Sequence, residues 1–280
     1  MRTNPARKAP RGTFPTIRPA IYTLKGGVLY ARCSLSGKEI VRRSATIVLT
    51  LGGKPIELII GKRRKKVTAL AVKPLIKHSL GAKKVGLLSL LVTPDHPHYP
   101  AFRAIGGAGT MPIPRARFAQ YDREIHAAYR GALNLKEAQR LFESIVNTTV
   151  ALLPAAKPLD PRLPKVIRLL RRDPNHALED IADTVGISYH RMSHLFADSI
   201  GLPLRSYRLW QKEANVALLL ESGYTLKRAA HEAGFRDAMH LCRVFRQAYG
   251  APPSYIYHNQ ATQYFSVSQP GRQRPPGKKS

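Results

Sequence analysis

Two segments of the sequence decide the fold, and they share the pattern Ala-x3-Gly followed by an apolar residue: IADTVGI at residues 181–187 and AAHEAGF at residues 229–235. Each is followed by an apolar-Phe pair and a Gly-x-Pro ending, in LFADSIGLP at 195–203 and in VFRQAYGAP at 244–252. The copies are offset by 48 residues at the first element and by 49 at the second, so one residue is inserted inside the second copy. Self-similarity of this kind indicates one small structural unit repeated in tandem.

The spacing inside each copy has a physical reason. Two short helices that cross at a steep angle need a small residue where they touch, and Ala182 and Ala230 supply it. Four residues later the chain must turn sharply, and Gly186 and Gly234 tolerate the positive φ that such a turn requires. Each copy therefore predicts a helix, a tight turn and a second helix, for which Ser188 is a good N-cap in the first copy.

The second helix of each unit should bury one face and present the other outward. The predicted buried positions follow i, i+3, i+4 spacing: Met192, Leu195 and Phe196 in the first copy, and Leu241, Val244 and Phe245 in the second. Among the outward residues, the candidates for contact with DNA bases are His190, Ser193, His194, Met239, Cys242 and Arg243. The candidates for phosphate contact are Tyr189, Arg236, His240 and Arg246. Arg243 is the best base reader, because arginine pairs bidentately with guanine, although phosphate contact and solvent exposure stay open for it.

Residues 204–223 predict one long helix between the units, with Gly223 at its C-terminal end. A rigid helix there would fix the distance between the two outward helices. They could then enter successive major-groove segments on one face of DNA, about 34 Å apart.

This pattern resembles the AraC/XylS type (arabinose-regulator family) of bacterial transcription regulators over about residues 160–258. The resemblance rests on Ala182-x3-Gly186, Gly201-x-Pro203, Ala230-x3-Gly234-Phe235, Phe245-x4-Gly250-x-Pro252 and Ser254-x-x-Tyr257. It implies an all-helical DNA reader and an N-terminal cupin-like β-barrel for effector binding or dimerisation. The chain departs from the family at His194 and His258, where the family usually has arginine.

The charge points to a polyanionic partner. The net charge is +29 and the pI is near 10.7, which favours nucleic acid over a membrane surface or an acidic ligand. Residues 1–158 carry 28 basic and 7 acidic side chains (+21), against 18 and 10 (+8) for residues 159–280. The run at 62–66 is open to three interpretations: a solvated hairpin edge, an anion or effector clamp through Lys62, Arg64 and Lys66, or an auxiliary DNA contact.

The pattern along the chain predicts an α+β protein with an N-terminal β-rich sandwich or barrel, a helical linker and a C-terminal all-α double helix-turn-helix domain, and the family resemblance implies that the N-terminal domain is a cupin-like barrel. The expected segments are a basic arm at 1–19, the β-rich regulatory domain at 20–112, a helical linker or dimerisation segment at 113–153, the double helix-turn-helix domain at 160–258 and a disordered tail at 259–280. An apolar stripe from Leu135 to Val146 would serve either core packing or dimerisation.

No catalytic, cofactor or metal site is expected. Cys33 and Cys242 make neither a disulfide framework nor a metal site, and the histidines of Asp95-His96-Pro97-His98 are interpreted as incidental loop residues. The longest apolar stretch, 85–92, is too short to span a bilayer. We therefore expect a cytoplasmic regulator at the bacterial nucleoid, homodimeric, bound to double-stranded DNA, with RNA polymerase as a candidate partner and an unidentified small effector. The rival hypotheses are a non-specific nucleoid-associated protein and a cupin-type enzyme fused to a DNA reader.

Overall fold

The N-terminal half of the chain is built from strands. The computed structural model describes residues 19–32, 35–36, 39–82, 84–155, 158–174, 176–257 and 262–266, so most of the predicted basic arm and most of the predicted tail lie outside it. The strands are β1 Ala20–Leu24, β2 Gly27–Arg32, β3 Leu35–Ser36, β4 Ala45–Thr50, β5 Ile56–Ile60, β6 Arg63–Val67, β7 Ala69–Val72, β8 Ser79–Ala82, β9 Leu87–Val92, β10 Thr110–Pro112 and β11 Gln263–Ser266.

The C-terminal half is helical, which confirms the predicted fold class. The helices are α1 Asp122–Tyr129, α2 Leu135–Val150, α3 Leu163–Arg172, α4 Leu178–Thr184, α5 Tyr189–Ile200, α6 Leu204–Glu221, α7 Leu226–Glu232, α8 Ala238–Tyr249 and α9 Pro253–Tyr257. The long helix expected between the two repeats is α6. The first part of the predicted helical linker at 113–153 is a 3₁₀ segment, Arg115–Tyr121, and α1 follows it.

Two sheets and a layer of helices form the N-terminal domain. The larger sheet has the order β10-β7-β4-β9-β2-β1-β11, and the smaller has the order β3-β8-β5-β6. Alternate residues of β4 face opposite layers: Ile47 and Leu49 pack toward the helices, whereas Val48 packs toward the smaller sheet. Covered on both faces, β4 and β9 are buried along their whole lengths, which explains why their sequences are mostly apolar, with Thr46, Thr50 and Ser89 the buried polar exceptions.

Helix α2 packs its apolar stripe into this domain. It begins with a capping box in which the Asn134 side chain accepts from the Glu137 amide. Its buried residues are Ala138, Leu141, Phe142, Ile145, Val146 and Thr149. A glycine in β2 makes room for it, because a Cβ on Gly27 would lie 2.2 Å from the Phe142 ring. The stripe is therefore part of the core, and its use as a dimer surface, one of the two alternatives above, is wrong.

The segment after the last helix is not entirely without structure, contrary to our expectation for residues 259–280. Residues Gln263–Ser266 form β11, which pairs in parallel with β1 at the edge of the larger sheet. Phe265 stacks on Tyr22 with ring centroids 4.5 Å apart, and Tyr264 and Ser266 donate to the Glu221 carboxylate at the end of α6. These partners are all distant in sequence, so local composition carried no sign of the strand.

The N-terminal domain contacts the C-terminal end of each outward helix. At the first unit, the Arg103 guanidinium donates to the Ser199 carbonyl near the end of α5. At the second, the Val41 amide donates to the Gln247 carbonyl of α8 at 2.9 Å. Both outward helices are thus bonded to the N-terminal domain at the ends away from their N-terminal turns.

A buried ion pair crosses the same boundary. The Arg43 guanidinium lies 2.6 Å from the Glu213 carboxylate in the middle of α6, and Glu213 is only 2% exposed. Tyr249 of α8 donates to the other Glu213 oxygen at 3.3 Å, and Tyr99 donates to the Arg43 carbonyl at 2.6 Å. One carboxylate thus joins the N-terminal domain, α6 and the second unit.

This carboxylate should make stability depend on pH. Burial raises the pKa of Glu213 from 4.5 to about 7, although Arg43 and Tyr249 act in the opposite direction. A group whose pKa is raised by folding gives stability that is complete below the unfolded pKa and is lost as the pH rises through the folded pKa. Relative to Glu213→Gln, which does not titrate, the wild-type chain should lose about 3 kcal/mol of unfolding free energy between pH 4.5 and pH 7.

Denaturant unfolding of both chains across that range measures the effect. Glu124→Gln, on an exposed position of α1, controls for the removal of a carboxylate elsewhere. If the unfolding free energies of the wild type and Glu213→Gln change equally with pH across this range, the pKa of Glu213 is not the cause.

Candidate DNA interface

The two predicted turns have the same backbone geometry. In the first, Gly186 has φ +70°, its amide donates to the Asp183 carbonyl, and the Ile187 amide donates back to the Ala182 carbonyl at 3.2 Å. In the second, Gly234 has φ +74° and the Phe235 amide donates to the Ala230 carbonyl at 2.8 Å. This pair of bonds around a left-handed residue is the Schellman motif, and it explains the spacing of four between alanine and glycine.

Each outward helix then begins at a side-chain cap. Ser188 accepts from the Arg191 amide at 3.3 Å, and Asp237 accepts from the His240 amide at 2.6 Å. Arg236 lies 3.0 Å from the other Asp237 oxygen. The His240 amide first, and then Arg236, lower the pKa of the Asp237 carboxyl, so the cap stays ionised at neutral pH. The turns and caps together fix where α5 and α8 start.

Most predicted contact residues lie on the solvent-facing sides of these helices. On α5, Tyr189, His190 and His194 are exposed, whereas Ser193 is half-buried. On α8, Met239 is 83% exposed and Arg243 and Arg246 are exposed. Met239 lies at the start of α8 and Arg243 lies one turn later. Because both side chains are exposed, packing within the chain does not cover this part of the surface.

Two candidates of the second unit are less accessible than predicted. Cys242 is half-buried, and the His240 ring packs edge-on against Phe235 with centroids 5.5 Å apart. The His240 Nδ1 atom is buried and has no hydrogen-bond partner. The His240 backbone amide is already used by the Asp237 cap, so Met239, Arg243 and Arg246 form the more open part of this face.

The basic run at 62–66 belongs to the smaller sheet of the N-terminal domain and to neither outward helix. It forms the β5–β6 hairpin, and β6 is an edge strand of the smaller sheet. Lys62, Arg64 and Lys66 are exposed, and Arg64 pairs with Glu57 at 3.3 Å. Charged side chains on an edge strand oppose sheet-to-sheet association, and the geometry fits that interpretation best of the three.

The His-x-His segment also has a structural environment. His96 is buried and its Nε2 atom lies 3.2 Å from the Glu143 carboxylate of α2, while its Nδ1 atom accepts from the His98 amide. Among the described residues, no group of three or more His, Cys, Asp or Glu side chains is arranged to hold a metal ion. No helix of the described part of the chain is long and apolar enough to cross a bilayer.

The sequence did not predict the side chains that support the candidate DNA interface from inside the protein. Lys212 of α6 donates to the Gly234 carbonyl at 2.7 Å, and Gln211 donates to the Leu170 carbonyl at 2.7 Å. Arg43 and Glu213, described above, belong to the same group. None of these residues lies in a repeat or a motif, and the one sequence signal was the presence of two charged residues, Lys212 and Glu213, within an amphipathic helix.

Comparisons with known proteins agree with this geometry. Residues 181–256 match a family model described as "Helix-turn-helix domain". The arabinose operon regulatory protein of Escherichia coli K12 is 30% identical over 127 residues, which are 44% of this chain and 42% of that protein. The transcriptional activator NphR of Rhodococcus is 31% identical over 118 residues, or 41% of this chain and 34% of that protein. The alignments thus span less than half the length of these relatives.

One solved structure is similar over most of the chain. ToxT from Vibrio cholerae O395 aligns with a TM-score of 0.53 and 13% sequence identity, covering 84% of this chain and 98% of that one. At this identity the likeness concerns the fold alone. It extends the correspondence to the β-rich N-terminal domain.

Two helix-turn-helix units joined by one helix define the C-terminal half as a double helix-turn-helix DNA-binding domain. The domain is of the AraC/XylS type, so the resemblance carried by the repeat is confirmed.

The first turn can be tested by one substitution. Nothing lies within 4 Å of a Cβ built on Gly186, so Gly186→Ala should add only the strain of left-handed backbone. We expect a loss of about 1–2 kcal/mol in unfolding free energy, and a smaller loss for Gly186→Asn, since asparagine tolerates this conformation better.

Gly106→Ala is the matched control, because Gly106 also has open space around its Cβ position but no positive φ. Its effect should stay within about 0.5 kcal/mol. Denaturant unfolding measures all three variants, and equal effects of Gly186→Ala and Gly106→Ala would show that the turn does not require glycine.

Proposed function

We propose that this protein is a sequence-specific transcription regulator that reads two successive major-groove segments of double-stranded DNA with α5 and α8. The observation that carries the proposal is the duplication: two units with the same Schellman turn and capped second helix leave the outward faces of α5 and α8 exposed. Helix α6 between them has 18 residues, a length of about 27 Å.

Direct selection tests the proposal. The full chain is incubated with a random double-stranded DNA pool, bound fragments are amplified, and the affinity for the enriched sequence is compared with that for shuffled DNA of the same length. We expect a preference of about 10³-fold or more at physiological salt. Equal affinities would favour the non-specific nucleoid-associated protein, which the net charge of +29 also fits.

Two arginines of α8 should separate base reading from phosphate contact. Arg243→Ala should cost about 1–3 kcal/mol on the selected site and relax the preference at one base pair, because a bidentate contact to guanine is lost. Arg246→Ala should instead weaken binding to all sequences alike and reduce the slope of log K against log salt by about 0.9.

Fluorescence anisotropy titrations on the selected and shuffled DNA at several salt concentrations measure both. The two variants control for each other, since both remove an exposed arginine from the same helix. If Arg243→Ala weakens specific and shuffled DNA equally, Arg243 is a phosphate contact.

We also propose that a small effector acts through the N-terminal domain. One ToxT structure contains an unsaturated fatty acid, and the two chains have similar folds. In this chain, residues 40–43 contact α6 and α8 directly, so a ligand that shifts this segment would shift the second unit. RNA polymerase contact and a location at the nucleoid stay predictions.

A homodimer stays a prediction as well, and it now rests on the family resemblance, because the α2 stripe is part of the core. Sedimentation equilibrium of the full chain at tens of micromolar measures it. A mass near twice 31.1 kDa is expected, and a mass of 31.1 kDa would contradict it.

A further inference from the structure

Two histidines on the first outward helix face each other. His190 and His194 lie one turn apart on α5, both exposed, with their Nε2 atoms 3.3 Å apart and their ring centroids 4.4 Å apart. Without a metal ion, a contact of this length is a hydrogen bond in which one imidazole N–H donates to the lone pair of the other. The Nε2 edges of the two rings therefore point toward each other on the exposed side of α5.

That separation is the one required by a shared transition-metal ion. Zinc binds imidazole nitrogen at about 2.0–2.1 Å with tetrahedral angles, which puts two ligating nitrogens about 3.4 Å apart. Zinc binding requires both Nε2 atoms to be unprotonated, so the proton on the donating Nε2 atom would move to Nδ1 of that ring or be released to solvent, and both Nε2 lone pairs would then bind the ion. Imidazole is a ligand suited to Zn²⁺, Cu²⁺ and Ni²⁺, and histidines at i and i+4 of a helix are a known metal-binding pair.

We propose that His190 and His194 form a two-histidine site for a divalent transition-metal ion, and that occupancy of this site prevents α5 from entering DNA. Among the described residues no third protein ligand joins the pair, so water completes the coordination. An open site with two protein ligands exchanges its metal with the medium, in contrast to a closed structural site with four. The site is therefore suited to sensing available metal.

The second half of the proposal rests on the proposed function, in which the same two imidazoles face the major groove. A hydrated ion held on the outer edge of both rings occupies the space that base edges would take. Metal and DNA then exclude each other at the first unit, and by linkage each weakens the binding of the other by the same factor.

The second unit offers an internal comparison. With the offset of 49 residues, the positions of His190 and His194 correspond to Met239 and Arg243 in α8, which cannot form such a pair. The one histidine of α8, His240, packs against Phe235. Metal should therefore affect the first unit and leave the contacts of the second unchanged.

Calorimetric titration of the full chain with zinc chloride, and separately with nickel chloride, tests the site without DNA. We expect one ion per chain. Losing even an indirect partner of a metal ligand costs about 10–100-fold in affinity, so His190→Gln and His194→Gln should each bind at least about tenfold more weakly. His126→Gln, at an exposed and unpaired position on α1, should bind as the wild type does.

If either glutamine variant binds zinc as tightly as the wild type, the site is wrong. X-ray absorption of the zinc-loaded wild-type chain gives an independent result that needs no variant. Nitrogen and oxygen neighbours alone are expected, whereas a sulfur neighbour would place the ion at a cysteine and overturn the assignment.

Anisotropy titrations with the selected DNA, with and without saturating zinc, test the exclusion. Zinc should weaken binding by the wild-type chain at least about tenfold and should not change binding by His194→Gln, whatever that variant's own affinity. Zinc that occupies the pair but leaves DNA affinity unchanged, or raises it, overturns the exclusion. Absence of any sequence preference would refute the proposed function instead, and the calorimetry would still decide the metal site.

Discussion

Helix α6 is the element on which the geometry of this protein depends. Its first turns pack with the first unit, where Tyr207 is buried beside Phe196, and its last turns carry Val216 and Leu220 in the core of the second unit. Between these ends, Glu213 pairs with Arg43 of the N-terminal domain. A single rigid helix therefore fixes both outward helices relative to each other and relative to the β-rich domain. Leaving a charge buried at its midpoint would be costly, so its ion pair with Arg43 constrains how the three parts fit together.

The parts of the fold that follow from local rules were predictable. The two glycine turns and the Ser188 cap depend on residues within about one helical turn of each other, and the repeat and the extent of α6 are visible as sequence patterns, so the sequence displays them directly. The parts that failed depend on distant partners. The α2 stripe could be assigned to the core only once Gly27 and the larger sheet were in place, and β11 exists because β1 has a free edge.

The candidate interface shows the same division. Helical periodicity put His190, His194, Met239 and Arg243 on outward faces without knowledge of the tertiary structure, and they are exposed. Periodicity could not show that His240 turns toward Phe235 or that the ends of α5 and α8 are held by Arg103 and Val41. The uneven charge now has a structural context as well. The exposed basic hairpin belongs to the β-rich domain, whereas the outward faces of α5 and α8, which we propose read DNA, carry imidazole, thioether and guanidinium groups.

The central claim is that α5 and α8 bind DNA together, one helical turn apart. Hydroxyl-radical footprinting of the full chain on its selected DNA tests this most directly. The account predicts two protected segments on one face of the duplex, centred about 10 base pairs apart. In the Arg243→Ala variant, protection should weaken at only one of the two segments. A single protected segment, or uniform protection along the fragment, would contradict it.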